Sequence, residues 1–366
     1  MITLRRLTSS LPYLPFIDGL RFFAILPVIL VHFVDFYESH TVTIESQWRV
    51  NYLDGVIGNS DNAVLLFFAI SGFVLGLPFA NHFFKKETLP KLKLFYTRRL
   101  TRLEPPYLIV LTVLMLMNVF LFHKSALTEQ LPHYFASFFY LHNIIYQSYP
   151  EINFVFWSLE IEVQFYLLAP LLAKVFQLET IKRRTSLLGS MIIFGTLNHY
   201  FKTPFISLFN YLHYFLAGFL ALDLYLTTTS KKRYLFDFFA ILLLLSFWTG
   251  SVKYGVLLPF VLGGFIFCVS KSTLIFKFTS LKWISIVGGM CYSLYMLHYP
   301  VMAAFLNRVT GHSFLTSNSA GDFFIKLGLC LVVIFVVSAV FFILIERPCM
   351  KKEWYKTIFR RKLTES

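Results

Sequence analysis

The sequence predicts an all-α integral membrane protein, a bundle of about ten transmembrane helices with both termini in the cytoplasm. Of its 366 residues, 57% are hydrophobic and only 14% are charged, a composition outside the range of ordinary soluble domains. Lys and Arg also alternate along the chain in the way that multi-pass proteins show. No internal repeat or hydrophilic stretch of domain size is present, so residues 1–366 are expected to form one membrane domain.

Ten apolar segments are long enough, or nearly long enough, to cross a bilayer as helices. They centre on residues 18–37, 62–81, 104–122, 154–176, 187–201, 205–226, 235–249, 255–270, 283–306 and 322–345. The stretch 131–148 is amphipathic and short, so we expect it on the outer surface or as a re-entrant piece.

Basic residues concentrate in every second loop. Six alternate segments hold 27 of the 33 Lys and Arg residues. By the positive-inside rule, 1–17 and 346–366 are cytoplasmic tails and 82–103 is a basic cytoplasmic loop. The net charge of +14 is then mainly a property of the cytoplasmic face, where it contacts membrane lipids, and it requires no nucleic-acid binding.

The four cysteines show neither CxxC nor metal-ligand spacing. They are Cys268, Cys291, Cys330 and Cys349, and most lie inside apolar runs. The sequence therefore predicts no disulfide framework and no metal site, and the cysteines are expected to be packing residues.

The first apolar segment contains two ionisable side chains, Arg21 and His32, within the run RFFAILPVILVH. Eleven helical residues amount to about 20° past three full turns, so both side chains lie on nearly the same face, about 16 Å apart. Ionisable groups inside a bilayer usually face a bundle interior or a cavity, which makes this pair a functional candidate. The alternative is a snorkelling arginine and a packed core histidine.

Two further segments bring ionisable groups to the depth of His32. Glu162 in the fourth segment and His298 in the ninth are expected at about the same level. Such a layer suits proton abstraction from a hydroxyl by a neutral histidine, and it suits a proton relay equally well. Glu160 lies about 200° from Glu162 around the helix, so the two cannot share a face, and periodicity does not choose between them.

The basic loop contains a possible phosphate clamp. Arg99 and Arg102 are three residues apart in TRRLTR, so at the start of a helix both can hold phosphates by bidentate contacts. Contact with lipid headgroups is the alternative. Pro105 and Pro106 are expected to turn the chain into the third span.

The chain resembles the acyltransferase 3 family of membrane acyltransferases, which modify bacterial cell-surface sugars among other acceptors. The motifs that carry the resemblance are FIDGLRFFAILPVILVH (16–32), FFAISGFVLG (67–76), YTRRLTRLEPPY (96–107), WSLEIEVQFYLLAP (157–170), GGMCYSLYMLHYP (288–300) and IERP (345–348). They are spread over nearly the whole chain, and the resemblance also implies about ten spanning helices.

The resemblance implies a catalytic pair, His32 and Glu162, in which the carboxylate supports the histidine. It makes Arg21 the partner of His32 in the first-helix motif and assigns Arg21, Arg99 and Arg102 to binding acyl-coenzyme A. Further support in the polar layer is expected from four residues: Asp18, Ser71, Tyr166 and His298.

The implied function is that of a multi-pass acyltransferase of the inner (cytoplasmic) membrane. It would transfer an acyl group, with acetyl from acetyl-coenzyme A as the expected donor, to a hydroxyl of an extracytoplasmic surface polysaccharide or lipid-linked sugar, such as lipopolysaccharide O-antigen, without a metal. The alternative is a proton-coupled transporter or flippase of a lipid or sugar, with His32, Glu162 and His298 as the relay.

Overall fold

The computed structural model describes residues 4–7, 13–40, 62–201, 206–248, 256–309, 320–351 and 354. Within these ranges all regular secondary structure is helical, as the sequence predicts. The helices are α1 (Pro15–His40), α2 (Ala63–Lys85), α3 (Leu92–Leu116), α4 (Leu127–Phe138), α5 (His142–Ile145), α6 (Trp157–Leu172), α7 (Thr180–Tyr200), α8 (Leu208–Thr227), α9 (Tyr234–Trp248), α10 (Leu258–Lys271), α11 (Leu274–Thr279), α12 (Lys282–Gly289), α13 (Cys291–Val309), α14 (Ala320–Phe341) and α15 (Arg347–Cys349).

Each of the ten predicted segments overlaps one of these helices, and segment 283–306 is divided between α12 and α13. Among the residues that the structure describes, five helical stretches are long and apolar enough to cross a membrane: Pro15–Ser39, Ala63–Lys85, Leu92–Leu121, Phe154–Gln177 and Gly321–Cys349. These stretches are consistent with a membrane protein. The count of ten spans and the cytoplasmic placement of both termini stay predictions.

The predicted loop 82–103 is mostly helix. α2 continues to Lys85 and α3 begins at Leu92, so only residues 86–91 connect them. The predicted turn at Pro105 and Pro106 is also wrong, because α3 runs through both prolines.

A tertiary contact explains how α3 accommodates its prolines. A proline has no N–H, so Pro105 leaves the carbonyl of Thr101, four residues earlier, without its helical donor. The indole Nε1–H of Trp354 donates to that carbonyl oxygen at 2.9 Å. The chain beyond α15 therefore supports the helix that carries Arg99 and Arg102.

The amphipathic stretch 131–148 forms α4 and α5, neither of which is long enough to span a membrane. The backbone N–H of Asn143 donates to Oε2 of Glu160 at 2.9 Å, and Asn143 Nδ2 donates to the carbonyl of Trp157 at 2.8 Å. Glu160, which periodicity allowed to be solvated, is fully buried against this turn. Placement on the surface or as a re-entrant piece stays a prediction.

The centre of the bundle depends on close backbone contact. A Cβ on Gly72 of α2 would lie 2.1 Å from the carbonyl oxygen of Phe215 on α8, so only glycine allows this approach. A Cβ on Gly288 of α12 would lie 1.7 Å from the carbonyl oxygen of Asp18 on α1. These contacts fix α1 and α2, which carry four of the nine predicted site residues: Asp18, Arg21, His32 and Ser71.

Candidate active site

A cavity of about 810 Å³ opens between α1, α2, α3, α6 and α13. Seven of the nine site residues predicted from the sequence line it: Asp18, Arg21, Ser71, Arg99, Arg102, Glu162 and Tyr166. Its volume is within the range of about 300–1,000 Å³ that is typical of ligand pockets. The other two, His32 and His298, are not part of its lining.

Glu162 lines this cavity next to Ser71 and Tyr166. Its carboxylate accepts a hydrogen bond from Ser71 Oγ at 2.5 Å and another from the Tyr166 hydroxyl. Residues four apart lie on one face of a helix, and Ser158, Glu162 and Tyr166 all line the cavity. The structure therefore directs Glu162, and not Glu160, to the cavity.

Several arginines also line the cavity, among them Arg21, Arg99 and Arg102. Nη1 of Arg21 lies 2.5 Å from Oδ1 of Asp18, one helical turn earlier. The Arg99 guanidinium stacks on the ring of Phe95, 3.7 Å from its centroid. Arg102 extends from the same side of α3, and its buried Nε has no hydrogen-bond partner among the described residues. These side chains present fixed positive charge to the cavity.

His32 and His298 form a directly hydrogen-bonded pair. Nδ1 of His32 lies 2.9 Å from Nε2 of His298, and the rings are stacked at 5.1 Å. Nδ1 of His298 lies 2.7 Å from the carbonyl oxygen of Tyr295. A carbonyl only accepts, so His298 carries its proton on Nδ1 and accepts at Nε2 from the Nδ1–H of His32. This assignment, made from the hydrogen-bond network, leaves Nε2 of His32 as a base without a hydrogen-bond partner among the described residues.

Tyr295 connects the histidine pair to the cavity. Its side chain lines the cavity, where the hydroxyl contacts Ser158 Oγ at 2.6 Å and donates to the Val155 carbonyl at 2.9 Å. Its own carbonyl accepts from His298, one helical turn further along α13. The His32–His298 pair is thus connected to the cavity through Tyr295.

The predicted single polar layer is two clusters. No hydrogen bond joins His32 to Glu162 within the described ranges, because Glu162 faces Ser71 and Tyr166 while His32 faces His298. Residue counting gives depth along a helix but not the direction in which the side chain points. The expected support of His32 by Glu162 is therefore replaced by support from His298.

Asp18 and Arg21 pair with each other, and Arg21 lies about three turns from His32, as the sequence spacing predicts. Both belong to the arginine wall of the cavity.

Sequence reasoning missed two residues near the arginines. Arg6 was counted only as a topological charge, yet it lines the cavity. Glu346 of the IERP motif is fully buried and accepts from the backbone N–H of Ser293 at 3.1 Å and from its Oγ at 2.5 Å. The motif marked Glu346, although no chemistry indicated that it would anchor the start of α13.

The cysteines are free, and three of the four are buried, which agrees with packing roles. Over the part of the chain that the structure describes, no group of three or more His, Cys, Asp and Glu side chains could hold a metal ion.

A family model described as an acyltransferase domain matches residues 14–345. The chain belongs to this acyltransferase family. The match includes every predicted site residue, and Arg6 lies outside it.

Similar proteins of this family are O-acetyltransferases by name. O-acetyltransferase OatA of Staphylococcus aureus (strain NCTC 8325 / PS 47) is 27% identical over 331 residues, which cover 79% of this chain and 51% of that protein. Peptidoglycan O-acetyltransferase OatA of Listeria monocytogenes serovar 1/2a is 33% identical over 204 residues, which cover 53% of this chain and 29% of that protein. The chain thus spans about half the length of the first of these relatives. No solved structure matches it.

Proposed function

We propose that this chain is a membrane O-acetyltransferase that moves acetyl from cytoplasmic acetyl-coenzyme A to a hydroxyl of an extracytoplasmic glycan. The observation that carries the proposal is a hydrogen-bonded histidine pair that is connected through Tyr295 to an arginine-lined cavity. Family membership and the names of the relatives support O-acetyl transfer. The name of the Listeria relative favours a peptidoglycan acceptor ahead of lipopolysaccharide O-antigen.

The cavity suits the phosphates of coenzyme A. Planar guanidinium groups bind phosphate oxygens by two parallel hydrogen bonds. Arg99 and Arg102 both line the cavity, and the buried Nε of Arg102 retains an unused donor. In this arrangement the phosphates bind at the arginines and the thioester reaches toward Ser158 and Tyr295.

His32 supplies the proton transfer. Its Nε2 accepts the proton of the acceptor hydroxyl as the oxygen bonds to the acyl carbon and the carbon–sulfur bond of the thioester breaks. The imidazolium then returns that proton to the departing thiolate. Throughout, the Nδ1–H of His32 stays hydrogen-bonded to His298 Nε2, which fixes the ring and favours its positive charge.

A transfer assay with purified protein tests this function directly. The protein in neutral detergent is given acetyl-coenzyme A labelled in the acetyl group together with a soluble peptidoglycan fragment, and ester-linked label on the glycan is measured by mass spectrometry. We expect base-labile acetyl on a sugar hydroxyl. Absence of transfer and of coenzyme A binding, together with substrate movement in liposomes, would instead establish the transporter alternative.

The two α3 arginines should contribute to donor affinity. Arg99→Ala and Arg102→Ala should each weaken coenzyme A binding by about 10-fold or more, because each removes charge-assisted contacts worth about 1.5–3 kcal/mol. Lysine at either position should restore only part of the coenzyme A affinity, since it keeps the positive charge but lacks the planar guanidinium group. Isothermal titration measures the affinity. Lys93→Ala, an exposed cation on the same helix, is the matched control. Equal affinities in the wild type, Lys93→Ala and the two arginine-to-alanine variants would show that both arginines serve only membrane topology.

Glu162→Gln should lower turnover by about 10-fold or more without weakening donor binding. The amide has one acceptor oxygen for the hydroxyls of Ser71 and Tyr166, and it no longer offsets the arginine charge. Removing a negative charge does not repel a polyanionic donor, so the loss should appear in kcat. Glu160→Gln is the control, because the amide oxygen can still accept from Asn143. A larger loss of turnover in Glu160→Gln would contradict the assignment of Glu162.

A further inference from the structure

The segment 4–7 is held against the end of the chain next to the cavity. Leu4 and Leu7 pack against an apolar cluster of Met290, Phe342 and Met350. Nε of Arg347 donates to the backbone carbonyl of Arg5 at 3.4 Å. Because its neighbours are fixed in this way, Arg6 has a defined position.

The Arg6 side chain lines the cavity close to Arg21 and Arg102. Its Nη1 lies 3.1 Å from Oδ1 of Asp18, the same oxygen that contacts Arg21. Only 15% of the side chain is exposed. Its buried Nε has no hydrogen-bond partner in the described part of the chain. Burial, followed by the neighbouring cations Arg21 and Arg102, lowers the pKa of Arg6 to about 10, so the group stays charged at neutral pH.

Arginines outnumber carboxylates in this part of the cavity: Arg6, Arg21, Arg99 and Arg102 lie near Asp18, Glu162 and Glu346. Arg6, Arg21 and Arg102 come from three separate parts of the chain, and Asp18 shares a single oxygen between the first two. Two further carboxylates lie nearby: Glu162, which interacts electrostatically with Arg21, and Glu346, which directs one oxygen to Ser293. Buried cations are costly unless paired, and Arg6 and Arg102 each have an unpartnered Nε. A group with several anionic oxygens, such as a phosphate, satisfies this arrangement.

We propose that Arg6 is a phosphate ligand of the acyl donor, and that the segment 4–7 completes the donor site with Arg21 and Arg102. The proposal rests on the proposed function for the identity of the donor. It assigns a binding role to a residue outside the matched family region. Asp18 is then a positioning residue that orients Arg6 and Arg21 through one oxygen.

The test compares coenzyme A with pantetheine, which has the same thiol arm and no phosphate. Affinities are measured by isothermal titration on the full chain in neutral detergent, for wild type, Arg6→Ala, Arg6→Lys and Arg5→Ala. Arg5 is the matched control, because its side chain is exposed and stacks on Tyr13 without lining the cavity. Arg6→Ala should weaken coenzyme A binding by about 10- to 100-fold. Arg6→Lys should be intermediate, and Arg5→Ala should equal wild type.

The pantetheine measurement separates phosphate binding from folding. Its affinity should be the same in all four proteins, because it has no group for Arg6 to bind. An equal loss of coenzyme A and pantetheine affinity would make Arg6 a structural residue and overturn the proposal, as would unchanged coenzyme A affinity in Arg6→Ala. If Arg6→Ala reduces only the binding of anionic-lipid vesicles, the ligand is a lipid headgroup and the proposal is wrong. A wild-type protein that binds no coenzyme A would refute the donor in the proposed function itself.

Discussion

Replacing His32 with alanine is expected to abolish detectable acetyl transfer while leaving the amount of protein in the membrane near normal. A positioned general base contributes about 10²- to 10⁴-fold to a rate, and Nε2 of His32 is the base that the hydrogen bonds of His298 define. The His32 ring contacts Phe154, His298 and Tyr299, so thermal unfolding of the variant is recorded beside its activity. Ester-linked acetyl on the glycan is measured by mass spectrometry at matched protein levels.

A second histidine pair in the chain provides the control. Nδ1 of His133 lies 2.9 Å from Nε2 of His142, on α4 and α5, and neither lines the cavity. His133→Ala should therefore retain transfer although it disrupts a pair of the same geometry. Normal transfer in His32→Ala would refute its role as the base. Loss of the protein from the membrane would indicate that His32 is a packing residue.

Replacing His298 should lower kcat by about 10²-fold or more, with donor affinity unchanged, and the order of two variants should reveal its role. Phenylalanine keeps a ring of similar size and removes the acceptor for the Nδ1–H of His32, so the base loses its fixed tautomer and orientation. Glutamine is a poorer fit for the ring, but its amide oxygen accepts a hydrogen bond. We expect His298→Gln to be more active than His298→Phe.

The opposite order would identify His298 as a packing residue, since phenylalanine would then be the better replacement. Kinetics at saturating donor, with protein levels matched by immunoblot, measure the order. His298 is buried and its Nδ1 bonds the Tyr295 carbonyl, so thermal unfolding of each variant is recorded as well. A variant that unfolds at the assay temperature is compared below that temperature.

Hydrophobic patterning predicted where the helices lie. Each of the ten apolar segments overlaps a helix, because a helix satisfies the backbone hydrogen bonds of an apolar segment within the segment itself. Depth counting along α1 and α13 also brought His32 and His298 to one level, and their rings are in contact. Local sequence was sufficient where the outcome depended on the helix itself.

Predictions that depended on a partner from elsewhere in the chain were less successful. The turn at Pro105 was wrong because Trp354, 249 positions later, supplies the missing donor. Glu162 was paired with the wrong neighbour because the direction of a side chain depends on how helices pack. Arg6 was missed because a basic residue before the first span also satisfies the positive-inside rule. In each case the deciding contact is tertiary.

The glycine contacts also determine which parts of this molecule can move. Helices whose backbones touch, as α2 and α8 do at Gly72, must separate before they slide, and the same holds for α1 and α12 at Gly288. In the most apolar stretch of α2, 78% of the residues are buried, whereas in the stretch that begins with α3 (Leu92–Leu121) only 33% are buried. Arg99 and Arg102 therefore lie on a helix that shares less of its surface with the rest of the described chain, while Arg21 and Ser71 lie on helices in direct backbone contact with a neighbour. A side chain introduced at Gly72 or Gly288 would force these neighbours apart and displace Ser71 or Arg21 from the cavity wall.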